Sequence, residues 1–280
     1  MSPLTREPWR ESEVADRLRN AGSVFAEDEA RLLLEAASDS SELDTLVRRR
    51  LTGEPLEYIL GWAEFCGLRI GVRQGVFVPR RRTEFLVTRA ADLVTYREHP
   101  LLVDMCCGSG AIGTALARRI HDAQLYATDI DPTAVDCARG NIGEQGTVTV
   151  GDLFAPLPAD IRGRVDIVVA NAPYVPTTEI SLMPQEARLH EDRVTLDGGG
   201  DGLDLHRRIS AEAPAWLAPH GSLLLETSER QAERTAAIMK QAGLVPSIER
   251  SEQFDATIVV GTRLAATPSP MSDGVRIVEE

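Results

Sequence analysis

Cysteine is scarce in this chain. Four residues in 280, Cys66, Cys106, Cys107 and Cys137, make up the whole supply. No Cys-x-x-Cys pair or clustered histidine accompanies them, and adjacent cysteines do not readily bridge each other, so neither a disulfide framework nor a metal site is expected. Long apolar runs are missing too: no stretch approaches the roughly 20 residues that a membrane span requires. The N-terminal run Met1-Ser2-Pro3-Leu4-Thr5-Arg6-Glu7 lacks the charged-then-apolar pattern of a secretory signal, so a cytoplasmic protein is expected. Cationic excess is also lacking. Against 30 Lys and Arg stand 43 Asp and Glu, a net charge of −13. Residues 1–100 contribute −2 of this and residues 101–280 contribute −11. Nucleic-acid binders draw much of their affinity from a basic face that displaces counterions, so this balance argues against a nucleic-acid partner.

What is present is a globular pattern, with 43% apolar residues and a length that suits one large domain plus a small one. Val14, Leu18 and Ala21, then Ala30, Leu33 and Leu34, recur at helical spacing, and a third helix from Ser41 to Leu51 stops at Thr52-Gly53-Glu54-Pro55. Residues 1–53 therefore read as a helical unit. Residues 54–80, with Tyr58-Ile59-Leu60, Phe65, Leu68 and Ile70 interrupted by glycines, read as a β-hairpin linker. Residues 81–264 open with a helix at Thr83–Tyr96 and then alternate. Strands are expected at Leu101–Met105, Leu125–Thr128, Thr147–Val150, Val165–Ala170, Ser222–Glu226 and Thr257–Gly261. Helices are expected at Ala111–Ile120, Pro132–Asn141, Gly202–Trp216 and Arg230–Ala242. This is an α/β, Rossmann-like arrangement, in which ligands sit beyond the carboxyl ends of the strands. Residues 265–280 read as a loose tail.

The first strand runs into Val103-Asp104-Met105-Cys106-Cys107-Gly108-Ser109-Gly110 and then a helix. Two glycines one residue apart let the backbone turn tightly against a ligand. The second strand ends at Asp129-Ile130-Asp131-Pro132, with an acid about 20 residues past the glycine turn, suited to both hydroxyls of a ribose. Asp131 before Pro132 fits a helix N-cap, which leaves Asp129 for the sugar. After the third strand, Asp152 can accept from an adenine amino group while Leu153 packs on the ring. No phosphate-binding lysine motif is present, so an adenosyl ligand without phosphates fits best. The candidate cofactor residues are Asp104, Cys106, Cys107, Gly108, Ser109, Gly110, Asp129, Asp152, Leu153 and Asn171.

The fourth strand stops at Asn171-Ala172-Pro173-Tyr174, the candidate catalytic residues. An amide nitrogen is a weak nucleophile because its lone pair is delocalised into the carbonyl. The Asn171 side-chain oxygen and the Ala172 carbonyl can each accept one N–H of a substrate NH₂, aiming the nitrogen at a methyl donor, with Tyr174 against the planar group. Positioning then carries the catalysis, without a strong general base.

These residues resemble the release-factor glutamine methyltransferase family, whose motif is Asn-Pro-Pro-Tyr. The likeness extends to Gly53-Glu54-Pro55-Leu56-Glu57-Tyr58-Ile59-Leu60-Gly61, to Phe77-Val78-Pro79-Arg80 followed by Thr83-Glu84, to Glu191 and to Leu196-Asp197-Gly198-Gly199-Gly200-Asp201-Gly202-Leu203. The resemblance implies a Rossmann-like methyltransferase domain behind a substrate-recognising helical domain and a hairpin. It also implies S-adenosylmethionine as cofactor and, as substrate, a glutamine in the Gly-Gly-Gln loop of a class I peptide release factor. Cofactor contacts then fall on Cys106–Gly110, Asp129, Leu153 and Asn171. Four positions depart from the family pattern: Cys106 replaces the first turn glycine, Ala172 the first proline of the motif, and Arg81 and Arg82 a proline and an acid. Two other readings stand beside this one: a methyltransferase for an exocyclic amine of a nucleic acid or small molecule, and a decayed, non-catalytic paralogue.

Overall fold

The computed structural model describes residues 10–183 and 185–265. Residues 1–9 of the expected helical unit and 266–280 of the expected tail lie outside the described residues. Three helices open the chain, α1 (Glu11–Asn20), α2 (Ala26–Ala36) and α3 (Ser40–Leu51). Their apolar positions converge on a core that includes Val14, Leu18, Ala30, Leu33, Leu43 and Val47. Asp39 caps α3, accepting the backbone N–H groups of Ser41 and Glu42 at 2.8 and 2.9 Å. At the other end, Arg50 reaches back to Glu29 of α2 at 2.9 Å in a partly buried ion pair.

Tyr58-Ile59-Leu60 does not begin the hairpin. It belongs to a short helix, α4 (Leu56–Leu60), entered from Pro55 at φ −51° and closed by Gly61 at φ +78°. Burial outweighs the β preference of these side chains. Ile59 joins the helical core, and the Tyr58 hydroxyl donates to the Val76 carbonyl at 2.7 Å. The hairpin follows as β1 (Trp62–Phe65) and β2 (Leu68–Gly71), paired antiparallel. A 3₁₀ turn over Arg81–Thr83 then leads into α5 (Glu84–Leu93).

The rest of the chain is β3 (Leu101–Met105), α6 (Ala111–Arg119), β4 (Gln124–Asp129), α7 (Pro132–Ile142), β5 (Gly146–Val150) and β6 (Val165–Ala170). It continues with α8 (Gln185–His190), α9 (Asp204–Trp216), β7 (Leu217–Thr227), α10 (Ala232–Gln241), β8 (Val245–Ser251) and β9 (Ala256–Thr262). The strands form one sheet in the order β5-β4-β3-β6-β7-β9-β8. β3 to β7 pair in parallel, and β9 runs antiparallel between β7 and β8. Every residue of β3 is buried, because helices cover both faces of the sheet. Chain order reverses between β4 and β6 on either side of β3, which opens a crevice at their carboxyl ends.

The α/β architecture is as the sequence pattern indicates, but the sheet has a strand more than expected. β8 carries Pro246, Glu249 and Arg250 and is only partly buried, the composition of an edge strand that is protected against further pairing.

Candidate active site

The turn after β3 is built on three residues in the left-handed region: Cys106 at φ +55°, Gly108 at φ +54° and Gly110 at φ +74°. Cys106, where the family pattern carries glycine, takes a glycine-like conformation. The turn is held by Cys107 N–H to the Thr128 carbonyl at 3.1 Å and Gly110 N–H to the Cys107 carbonyl at 2.7 Å. Gly110 admits no side chain: a Cβ there would lie 2.9 Å from Ala138 Cβ and 3.0 Å from its Cα. Asn141 of α7 ties the hairpin to this turn. Its amide donates to the carbonyls of Ser109 and Gly71, both at 2.8 Å, and its oxygen accepts the Gly71 N–H at 2.8 Å.

Asp104 does not border the cavity that this turn helps to form. It is fully buried, and its Oδ2 accepts the Gly113 N–H at 2.8 Å, fastening the start of α6 to β3. Desolvation pushes its carboxyl up to about 8. Asp129, by contrast, is at the cavity wall. Its Oδ2 accepts the Gly108 N–H at 2.8 Å and its Oδ1 the Asp131 N–H at 3.0 Å, leaving lone pairs on both oxygens. Burial raises its pKa, opposed by these backbone donors. Asp131 caps α7 through the Thr133 N–H at 2.8 Å.

Asp152 and Leu153 border the same cavity. Leu153 is buried at φ +49°, and Asp152 is paired with Arg208 of α9 at 2.6 Å. At the end of β6, Asn171 and Pro173 line the cavity, whereas Ala172 is packed into the core. The Asn171 Nδ2 donates to the Thr83 hydroxyl at 3.2 Å. The Tyr174 hydroxyl donates to Glu226 at 3.4 Å, and its ring lies 6.4 Å from that of His206, tilted by 52°. His206 is neutral, because burial lowers its pKa to about 4. The loop after the motif clamps it: Gly198 N–H donates to the Val175 carbonyl at 2.8 Å, and Gln231 Nε2 to that of Tyr174 at 2.9 Å.

The cavity has a volume of about 680 Å³. Thr83, Phe77, Thr177, Arg193 and Arg208 also border it, and the sequence reading gave none of these a role in the chemistry. They come from four separate stretches of chain, so no local spacing could have collected them all. The two cations among the described lining residues are already engaged, Arg208 with Asp152 at 2.6 Å and Arg193 with Asp197 at 3.2 Å.

Residues 73–203 match the family described as "Methyltransferase small domain". The chain is 37% identical over 222 residues to the release factor glutamine methyltransferase of Geobacter sulfurreducens, covering 78% of this chain and 76% of that protein. It is 34% identical over 284 residues to that of Bradyrhizobium diazoefficiens, covering 91% of this chain and 95% of that one. The chain belongs to the release factor glutamine methyltransferase family. A methyltransferase from Pyrococcus furiosus shares its fold, with a TM-score of 0.53 at 14% identity over 71% of this chain and 90% of that one.

The cofactor of a release factor glutamine methyltransferase is S-adenosylmethionine, and the residues present fit it. Asp129, Asp131 and Asp152 give the cavity wall an acidic character, which suits a cationic sulfonium and ammonium. No unpaired cation among the described lining residues awaits a phosphate. Asp129 would take the ribose, Leu153 and Asp152 the adenine, and the turn at Cys106–Gly110 the remainder. The bound cofactor supplies an electrophilic methyl group.

Proposed function

We propose that this chain methylates the side-chain amide nitrogen of a glutamine in the Gly-Gly-Gln loop of a class I peptide release factor. The observation that carries the reading is the position of Asn171. Its carboxamide borders the same cavity as the glycine turn and Asp129, at the carboxyl end of β6 where the sheet opens. An acceptor amide held there lies beside the cofactor pocket. The Asn171 oxygen and the Ala172 carbonyl take its two N–H groups, which draws electron density back onto nitrogen and favours a tetrahedral arrangement. Asn171, Ala172, Pro173 and Tyr174 thus orient the acceptor, and orientation of this kind lowers a barrier by roughly 7–11 kcal/mol. The nitrogen loses its proton after transfer, so no strong base is required.

Recognition of the protein substrate is assigned to the helices α1 to α3, and the four free cysteines suit a reducing, cytoplasmic setting. Methyl transfer from labelled S-adenosylmethionine to purified release factors, with the modified residue read by mass spectrometry, tests the proposal. Methylated glutamine within Gly-Gly-Gln is the expected product. Cofactor binding without that product would assign the pocket to a different acceptor, and absence of cofactor binding would mark a decayed paralogue.

A further inference from the structure

A carboxamide presents two ends of nearly equal shape and opposite hydrogen-bonding character. The proposed role of Asn171 requires that its oxygen, and not its NH₂, face the acceptor. We propose that Thr83, backed by the Glu226–Arg82 ion pair, is the positioning residue that sets this polarity. The inference rests on the reading of Asn171 given above.

Thr83 closes the 3₁₀ turn ahead of α5 and is only 2% exposed, and its hydroxyl accepts from Asn171 Nδ2 at 3.2 Å. A hydroxyl can donate or accept, so Thr83 alone would not choose between the two ends of Asn171. Glu226 breaks the tie. It lies near the end of β7, 1% exposed, and an ionised carboxylate can only accept. Its Oε1 takes Arg82 Nε at 3.1 Å and the Tyr174 hydroxyl at 3.4 Å. Its Oε2 is buried without a hydrogen-bond partner of its own, so acceptor capacity remains on the carboxylate, and the Thr83 hydroxyl is the neighbour that most favours its charged form. Burial pushes the Glu226 carboxyl up, but the Thr83 hydroxyl, Arg82 and Tyr174 all favour its ionised form.

With its proton drawn toward Glu226, Thr83 turns a lone pair to Asn171, and only the NH₂ end of Asn171 satisfies it. The oxygen is then left for the cavity. The same carboxylate holds the Tyr174 hydroxyl, so one buried charge orients both polar ends of the Asn171–Tyr174 motif. Arg82 supplies the compensating cation at a position where the family pattern carries an acid.

Thr83→Val keeps the shape and deletes the hydroxyl; Thr83→Ser keeps the hydroxyl. Steady-state methyl transfer onto a release factor, calorimetry with S-adenosylmethionine and thermal melts are run on both. Removing the partner of a buried donor should lower kcat about 10- to 100-fold in Thr83→Val, with cofactor Kd within about threefold and Thr83→Ser within about threefold of the parent protein. A Thr83→Val enzyme with unchanged kcat, alongside an inactive Asn171→Ala enzyme, overturns the inference and leaves the reading of Asn171 intact. Unchanged kcat in Asn171→Ala removes that reading instead.

Arg82→Gln gives a second test should Thr83→Val not fold, because the Arg82 side chain is half exposed. The charged and titratable groups acting on this cluster are Arg82, Glu226 and Tyr174, with Asp255 acting on Arg82 and Arg80 on Tyr174. Without the cation Glu226 protonates more readily, so kcat should fall and its acid limb should move to higher pH. An unmoved acid limb would exclude the ion pair from the device.

Discussion

Asp129 Oδ2 accepts the Gly108 N–H at 2.8 Å, so the carboxylate proposed to hold the ribose also fastens the glycine turn. The tips of β3 and β4 are locked together through one side chain, and the two halves of the cofactor pocket are therefore not independent. Asp129→Ala should weaken S-adenosylmethionine binding by about 1.5–3 kcal/mol, the worth of hydrogen bonds to a charged group. Asp129→Asn, which keeps one acceptor oxygen, should lose less. Titration calorimetry reads both, and an affinity within twofold of the parent for the alanine variant would show that the carboxylate does not touch the ligand.

Cys106 holds a left-handed backbone, φ +55°, at a site that the family fills with glycine. An L side chain there carries a strain of about 1–2 kcal/mol. Cys106→Gly relieves it but enlarges the unfolded ensemble, worth roughly 0.4–1 kcal/mol in the other direction. The net change in stability should stay within about 1 kcal/mol. Cys106→Val adds a β-branched side chain to the same backbone and should cost about 1–3 kcal/mol. Denaturant titration separates the two, and equal stabilities would mean that the turn relaxes around any side chain.

Much of the cavity wall at the tips of β3 and β4 was legible in the sequence because local chemistry defines it. A tight turn needs Gly108 and Gly110, an acid at the end of the next strand is Asp129, and a Pro-preceded cap is Asp131. The polar scaffold behind Asn171 was not legible. Thr83 lies 88 residues from Asn171 and Arg82 lies 144 from Glu226, and only the sheet order brings them together. Asp104 has the residue type of a ligand contact, but its position inside β3 turns it into the core, where it braces α6. The helix at Leu56–Leu60 escaped because Tyr58 and Ile59 favour strands in isolation, and Pro55 with Gly61 decides otherwise. β8 escaped because an edge strand lacks clean alternation.

The buried Asp104 carboxyl, pushed up to about 8, gives stability a pH dependence of definite sign. In the unfolded chain the same group ionises near an ordinary value of about 3.9. Between these values the folded protein holds a proton that the unfolded chain has released. Its contribution is therefore fullest at low pH and is lost as pH rises toward 8, by at most about 1.4 kcal/mol per unit. Asp104→Asn retains an acceptor for the Gly113 N–H and abolishes the titration. The stability difference between the two proteins should grow in favour of the asparagine variant from about pH 5 to pH 8. Parallel curves would place an ionised Asp104 in the folded state.

Gly202 is a point of close contact between the loop at Leu196–Leu203 and the Asn171–Tyr174 motif. It sits at φ +78°, and a Cβ there would come within 2.3 Å of the Tyr174 carbonyl. Gly202→Ala must displace either the loop or Tyr174. A stability loss of about 1–3 kcal/mol from backbone strain is expected, together with a lower kcat. Gly200→Ala is the control, because nothing lies within 4 Å of the added atom. If the two variants transfer methyl groups equally well, the loop does not set the position of Tyr174.

In the proposed mechanism Asn171 touches both cofactor pocket and acceptor, and truncating it separates the two roles. The side chain borders the cavity, as do Asp129, Asp152 and Leu153, to which the ribose and the adenine are assigned in the proposal. Asn171→Ala should therefore leave S-adenosylmethionine affinity within about tenfold, roughly 1.4 kcal/mol. It removes one of two acceptors that make an amide nitrogen nucleophilic, and the loss of one such preorganised group typically costs about 10²- to 10³-fold in kcat. The partner groups report on the same change. Thr83 loses the amide it accepts from, while Glu226 keeps Arg82 and Tyr174, so thermal stability should fall by no more than about 1–3 kcal/mol. Single-turnover transfer with saturating cofactor isolates the chemical step from binding. A wild-type rate there would take Asn171 out of the mechanism and leave the Ala172 carbonyl as the group that orients the acceptor.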